Sequence, residues 1–542
     1  MEDMTKASSR ADILIRGGTL IDGTGSSRRR VDLAIENGRI AAVGDLSDWD
    51  ATTILDATGL VVAPGFIDMH THSDLSLLIN PRAESKIRQG VTTEVIGQCG
   101  FSPAPAPSNR RESIRELFGE WGKVVQWTWG SFGDYLAAFE RDGISVNVVP
   151  VVGHGILRAG ILDEDNAAAS DSELLEMKGG VRRALDEGAF GMSTGLIYAP
   201  GMFADIDELT ALACEVAAAG GVYFSHIRSE AENLIPAIEE AIEVGRRSGV
   251  RVQISHLKAE GRPNWGKTGV VLNAIEEARS MDVDVGFDVY PYTAWHTSLG
   301  QVLPAWAREG GTERILARLT DERIRPRLQS EIAEAAESDP GRWERRLLAA
   351  AHTTANRSIQ GMTIAEIAAD RKRLPEEVII DLLVEERLDA DMVGFGMDEG
   401  DVRRVLAHPL ATIGSDSASA APYGVLGENH THPRTYGAFA RVLGYYMREE
   451  TVFSLENAVA KMTGRSAERL HLHDRGRLVP DLAADVVVFD PTVVRDEATY
   501  DRPHQYAAGI RWVIVNGMVE IDGDTHMDRR PGRVLTPPLP SR

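Results

Sequence analysis

Gly65-Phe66-Ile67-Asp68-Met69-His70-Thr71-His72-Ser73-Asp74 is the stretch around which the rest of the chain is arranged. It follows Leu60-Val61-Val62-Ala63-Pro64, a short apolar run that reads as a strand entering a core. Residues i and i+2 of a strand point to one side. If the strand runs on, His70 and His72 present two imidazoles to one point, and Asp68 shares their side to ligate or orient. Neutral imidazole suits zinc and similar ions. A lone His-x-His is about as often two polar residues in a loop, so its weight depends on what the rest of the chain supplies.

At 542 residues the chain can bury a large core with one or two attachments. Its 58 basic against 81 acidic residues give a net charge of −23, which argues against nucleic acid or an anionic membrane as partner. No apolar stretch is long enough to span a bilayer. The polar start, Met1 to Ala11, lacks a signal-peptide core, so the cytoplasm is the expected compartment. Two cysteines make no disulfide framework. Cys214 lies at helical spacing with Leu209, Leu212 and Val216 and reads as core filler.

Residues 12–62 look all-β, with Val31 to Ile35 and Arg39 to Gly44 paired across an Asn37-Gly38 turn. From Val61 the texture changes. Strand-like runs at 61–67, 91–97, 146–152, 189–195, 221–226, 251–256, 283–290 and 411–415 alternate with amphipathic helical runs. Eight strands with intervening helices predict an α/β fold, a (β/α)8 TIM-type barrel. About 303–408 is too long for one loop and reads as an insertion between the last two strands. Sheet texture returns at Ala484 to Asp490 and Trp512 to Glu520, and the proline-rich tail from Arg529 reads as extended or loose. Residues 1–62 and 471–542 are expected to form one small β-sandwich flanking the barrel, 63–470.

The active face of such a barrel lies at the C-terminal ends of its strands. There the sequence places His70 and His72 after strand 1, Cys99 after strand 2, and His226 after strand 5. His256 follows strand 6, and Asp416 follows strand 8. One histidine at a strand end is commonly structural; six ligand-type residues each ending an apolar run point to a metal centre. A thiolate among imidazoles favours zinc. Such a metal lowers the pKa of water and polarises a carbonyl. An aspartate beside it can move a proton to a leaving amine. Together these parts describe hydrolysis of an amide or a related carbonyl compound.

Pro64-Gly65-Phe66-Ile67-Asp68-Met69-His70-Thr71-His72 resembles the strand-1 motif of the amidohydrolase superfamily. Ser255-His256, Gly414-Ser415-Asp416 and the closing Ala484 to Asp490 extend the likeness over nearly the whole chain. Gly90 to Ser102, Ser193-Thr194-Gly195-Leu196-Ile197-Tyr198 and His432-Pro433-Arg434-Thr435-Tyr436-Gly437 resemble its D-aminoacylase (N-acyl-D-amino-acid deacylase) branch. Many superfamily members bridge two metals with a carboxylated lysine on strand 4; Phe190-Gly191-Met192-Ser193-Thr194 has none, and Cys99 fits the cysteine that replaces it in this branch.

The resemblance implies a tight zinc on Cys99, His226 and His256. A second, weaker site would use His70, His72 and Asp416, with Asp416 as acid/base and Cys99 able to bridge. It further implies Lys258 and Tyr290 on the substrate carboxylate and Tyr198 near the scissile carbonyl, with Arg228 a weaker candidate. Trp295 and His296 stand where the family has small residues, and put His296 against the substrate. His154, ending strand 3, is a candidate support for the site. The expected partner is a small-molecule amide; self-association stays open. The expected activity is removal of the acyl group from N-acyl-D-amino acids. Another linear or cyclic amide, a dipeptide, or a non-catalytic scaffold are the alternatives.

Overall fold

The computed structural model describes residues 10–162 and 168–538; the polar start at residues 1–9 and the last four residues of the proline-rich tail lie outside them. Among the described residues, eight parallel strands succeed one another around a ring. Phe66–Asp68 pairs with Val91–Ile96, which pairs with Asn147–Pro150. That third strand breaks at Val151 and continues as Val152–Gly153 against Gly191–Gly195. Val222–His226, Arg251–Ile254, Val285–Val289 and Ala411–Ile413 follow in order. The ring closes where Met69 N donates to Ile413 O (3.1 Å) and Asp416 N to His70 O (2.8 Å). This is the expected (β/α)8 barrel.

The helices outside the ring follow from local sequence. Ser170 opens Asp171–Asp186 with a capping box to Glu173, and Asp205 accepts from the amides of Asp207 and Glu208 to open Ile206–Ala218. Leu234–Ser248 buries Leu234, Ala237, Ile238, Ala241 and Val244, a stripe at three- and four-residue spacing, and stops at left-handed Gly249. Cys214 is a correction: it is exposed. The buried stripe of its helix runs through Leu209, Leu212, Ala213 and Val216, and residue 214 falls on the opposite side.

The strand expected over 61–67 is two strands in two sheets. Val61–Pro64 pairs with Thr19–Leu20 and with Val486–Phe489, and only Phe66–Asp68 joins the barrel. The chain crosses at Gly65, where a Cβ would sit 2.2 Å from Thr92 Oγ1. The first of these sheets has seven strands and mixes both ends of the chain; it faces a four-stranded sheet from residues 10–56. Ile13, Ile35, Val62, Val488 and Trp512 fill the space between them, a β-sandwich core. The tail is extended but docked, with Val148 N donating to Arg533 O and Leu535 N to Val148 O.

The added segment also differs from its expected limits. A three-stranded antiparallel sheet runs in the order Ala294–Ser298, Asp391–Phe395, Arg346–Ala350, so it begins before residue 303. At the other end, the helix Glu399–Ala407 packs back on the barrel helix Thr268–Ser280 and on Ala411–Ile413. The segment has its own core, including Leu303, Leu328, Leu348, Ile379 and Leu382.

Candidate active site

Cys99 Sγ lies 3.3 Å from His70 Nε2, 3.5 Å from His226 Nδ1 and 3.5 Å from His256 Nε2. A zinc ion at about 2.3 Å from sulfur and about 2.05 Å from nitrogen, with tetrahedral angles, separates sulfur and nitrogen by about 3.5 Å. The donor set and its spacing therefore fit zinc. On the other side of His70, His72 Nε2 is 3.2 Å and His70 Nε2 3.7 Å from Asp416 Oδ1. The structure thus brings His70, His72, Cys99, His226, His256 and Asp416 together, with His70 and His256 each shared between two groups of donors.

The backbone is forced to deliver them. Cys99, His256 and Asp416 have φ of 55°, 37° and 51°, left-handed values that side chains with a Cβ rarely adopt. Each terminates a strand and turns its side chain over the mouth. Strand 4, lacking a lysine, supports Cys99 instead: Gly100 N donates to Ser193 Oγ (3.0 Å) and Ser193 Oγ donates to Gly97 O. A Cβ on Gly195 would lie 2.0 Å from Cys99 O, so this neighbour has to be glycine.

The electrostatics suit a cation. Burial pushes the Cys99 thiol well above its ordinary range, and burial holds His226 and His256 well below theirs, so the imidazoles are neutral ligands. Burial opposes ionisation of Asp416, but Arg434, His256 and the His72 hydrogen bond outweigh it and hold the carboxylate well below its usual range. Asp288 Oδ1 accepts from His256 N (2.8 Å) and stands 3.5 Å from His70 Nδ1. Glu230 Oε1 is 2.9 Å from His256 Nδ1; accepting that N–H leaves Nε2 free for a metal.

Asp68 orients rather than ligates. Its Oδ1 accepts from His70 N (3.3 Å) and Ser415 N (2.7 Å), and its Oδ2 from Lys86 Nζ (3.0 Å). His154 is remote in its contacts, bonded to Glu208 at 2.8 Å.

A cavity of about 850 Å³ opens over the donors and is walled on the far side by the added segment. Lys258, Tyr198, Arg228 and His296 line it. Lys258 Nζ is bound to Glu230 and lies 2.8 Å from His256 Nδ1. The Tyr198 hydroxyl is 3.0 Å from Thr297 Oγ1, and its ring meets the His226 ring edge-on at 5.1 Å. Tyr290 keeps a buried hydroxyl without a partner among the described residues, with Arg434 Cζ 4.6 Å from its ring centre. The Arg228 guanidinium is held by Glu240 and by the carbonyls of Met202 and Ala204. His296 Nε2 stands 3.4 Å from Asp391 Oδ2.

Sequence reasoning missed Glu230 and Arg434. Arg434 Nη1 donates to Asp416 Oδ2 at 2.7 Å. Its signal was present in the His432 to Gly437 motif, but nothing in that motif links it to residue 416.

The chain resembles known proteins over nearly its whole length. The amidohydrolase family profile matches residues 53–520. A D-aminoacylase of Alcaligenes xylosoxydans xylosoxydans is 38% identical over 524 residues, covering 97% of each chain. An N-acyl-D-glutamate deacylase of the same organism is 38% identical over 526 residues, 97% of this chain and 96% of its own. The crystal structure of the Bordetella bronchiseptica N-acyl-D-glutamate deacylase, with zinc and a phosphonate inhibitor mimicking the tetrahedral intermediate, superposes with a TM-score of 0.83. It is 36% identical and covers 97% of this chain and all of that one. With a barrel fold and a match over most of its length, the chain belongs to the amidohydrolase family.

Proposed function

We propose that this protein is a zinc-dependent amidohydrolase that cleaves N-acyl-D-amino acids into a carboxylate and a D-amino acid. One observation carries the reading: Cys99 Sγ stands at zinc-coordination spacing from three imidazoles, beside ionised Asp416, under a cavity sized for a small amide. Cys99, His226 and His256 hold the tight zinc; His70, His72 and Asp416 form the second, weaker site. D-selectivity comes from the likeness to the deacylases.

Zinc held there supplies Lewis acidity and lowers the pKa of water. Asp416 accepts a proton from the attacking water and passes it to the leaving nitrogen as the amide C–N bond breaks. Arg434 holds Asp416 ionised for the first of these transfers. The Tyr198 hydroxyl, fixed by Thr297, donates to the oxygen on which charge develops. Lys258 and Tyr290 meet the substrate carboxylate. His296 faces the substrate from the added segment.

The same reading assigns residues 1–62 and 471–542 to a β-sandwich and 63–470 to the hydrolase unit. Among the described residues no helix is long and apolar enough to cross a membrane.

The test is hydrolysis of matched N-acetyl-D- and N-acetyl-L-amino acids by zinc-loaded enzyme, with Asp416→Asn alongside. Turnover of D-forms only, abolished in the variant with tight zinc retained, is the expected result. Turnover of L-forms, or an active Asp416→Asn enzyme, overturns the assignment.

A further inference from the structure

The reaction described above absorbs only part of the His432 to Gly437 motif. Arg434 serves Asp416, whereas His432 has no part in it. His432 is fully buried. Its Nε2 stands 3.0 Å from Ala294 O, and its Nδ1 accepts from Arg434 N at 2.9 Å. A backbone amide only donates and a carbonyl only accepts, so Nε2 carries the proton and Nδ1 is bare. Burial, with Arg434 beside the ring, holds the pKa of His432 well below its ordinary range, so the ring stays neutral. The rings of Tyr292 and Tyr500 meet it edge-on at 5.2 and 5.1 Å, and the Tyr500 hydroxyl lies 3.4 Å from Nε2.

These two contacts join distant parts of the chain. Arg434 opens the helix Arg434–Arg441, and its amide is one that the helix itself leaves without an acceptor. Ala294 opens the strand Ala294–Ser298 of the added segment. That strand reaches the site at two further points. His296 O lies 3.4 Å from Arg434 Nη2, and Thr297 Oγ1 lies 3.0 Å from the Tyr198 hydroxyl. Arg434 Nη1 in turn donates to Asp416 Oδ2 at 2.7 Å. His432 is therefore bonded both to the backbone from which Arg434 projects and to the strand that holds Tyr198.

We propose that His432 is a positioning residue of the reaction. It locks Arg434, and through it Asp416, in register with the strand Ala294–Ser298, so that the acid/base and the Tyr198 hydroxyl share one frame. The roles of Asp416 and Tyr198 are those of the deacylase reading, on which the proposal rests.

The experiment is a double-mutant cycle on zinc-loaded enzyme with an N-acetyl-D-amino acid. His432→Phe removes both contacts and is expected to lower kcat by about 30–100-fold, with KM within about threefold of wild type. Because it acts through Arg434, adding it to Arg434→Met lowers kcat by no more than about a further threefold. A merely structural histidine gives losses that multiply, and that result overturns the proposal. His432→Asn keeps an acceptor for Arg434 N but is too short to reach Ala294, so it tests the link to the added segment with the helix start intact. A fall in kcat of about tenfold or more is expected, and a kcat within about threefold of wild type overturns the proposal. If no N-acyl-D-amino acid is turned over, the deacylase reading fails separately. Crystal structures of zinc-loaded wild type and His432→Asn then decide: an Asp416 carboxylate displaced by about 0.5 Å or more upholds the positioning role, and an unmoved one overturns it.

Discussion

Replacing Lys86 by methionine removes a buried cation on which three segments converge. Lys86 and Asp68 are both fully buried. Lys86 Nζ donates to Asp68 Oδ2 (3.0 Å), to Ser417 O (2.9 Å), to Ser417 Oγ (3.0 Å) and to Ser415 Oγ. Asp68 in turn accepts from the amides of His70 and Ser415. Lys86→Met leaves the Asp68 charge buried and unpaired, which costs about 3–5 kcal/mol. Unfolding entropy near 60 °C is about 2.1 cal/mol/K per residue, so for 542 residues a loss of about 4 kcal/mol lowers Tm by about 3–4 °C. Scanning calorimetry of the zinc-loaded enzyme reads this directly. Because Ser415 and Ser417 flank Asp416, kcat/KM also falls by about tenfold or more. Asp68→Asn/Lys86→Met, which removes both charges, recovers at least half of the lost Tm. A single variant within about 1 °C of wild type, or a double variant no better than the sum of the singles, refutes the reasoning.

Two further outcomes follow from buried groups elsewhere. Glu230→Ala removes the acceptor behind His256 Nδ1 and lowers zinc affinity by about 10–100-fold in competition with a chelator; an unchanged affinity would show that Glu230 does not set the tautomer. Lys461 is buried on the carbonyl of His408, and burial, aided by Arg465, pushes its pKa down to about 7. Between about pH 7 and the unfolded value near 10.4, the unfolded chain holds a proton that the folded chain lacks. Stability of the wild type therefore rises across that window, and Lys461→Met is the more stable protein at pH 7, by up to roughly 4 kcal/mol, with the gap closing as pH rises. Urea midpoints of both proteins at several pH values check it, and a pH-independent gap would sink the assignment.

The parts of the site that were legible in the sequence share one property. His70, Cys99, His226, His256 and Asp416 each end an apolar run, so strand periodicity alone carries them to one face of a barrel. The parts that were not legible depend on contacts between distant segments. Glu230 sits in Ser229-Glu230-Ala231-Glu232, where it looks like any solvated loop acid, and only the packing of two strand ends brings it to His256. Lys86 lies in a short polar helix, Glu84–Ile87, with no apolar spacing to mark it as buried. In the fold, the eight-strand count survives, but the run 60–67 is apolar throughout and hides its division at Gly65 between two sheets. The added segment begins at Ala294 rather than near 303 because Ala294–Ser298 pairs with Asp391–Phe395, a partner almost a hundred residues later. Cys214 fails differently: its helix was correctly placed, but its angular position was not read against the stripe it leaves.

The strand Val61–Pro64 stands immediately before the first metal-ligand loop, yet its antiparallel neighbour, Val486–Phe489, is about 420 residues downstream. At a synthesis rate of about 5–20 residues per second, the ribosome needs about 20–80 s to make that neighbour. Throughout that interval the nascent chain carries an apolar, β-branched edge with unsatisfied amides and carbonyls, the kind of surface that recruits other strands. Production of the active enzyme is thus exposed to a kinetic hazard that its finished form no longer displays, and slower translation or the absence of chaperones will lower soluble yield before it alters any property of the molecules that do fold.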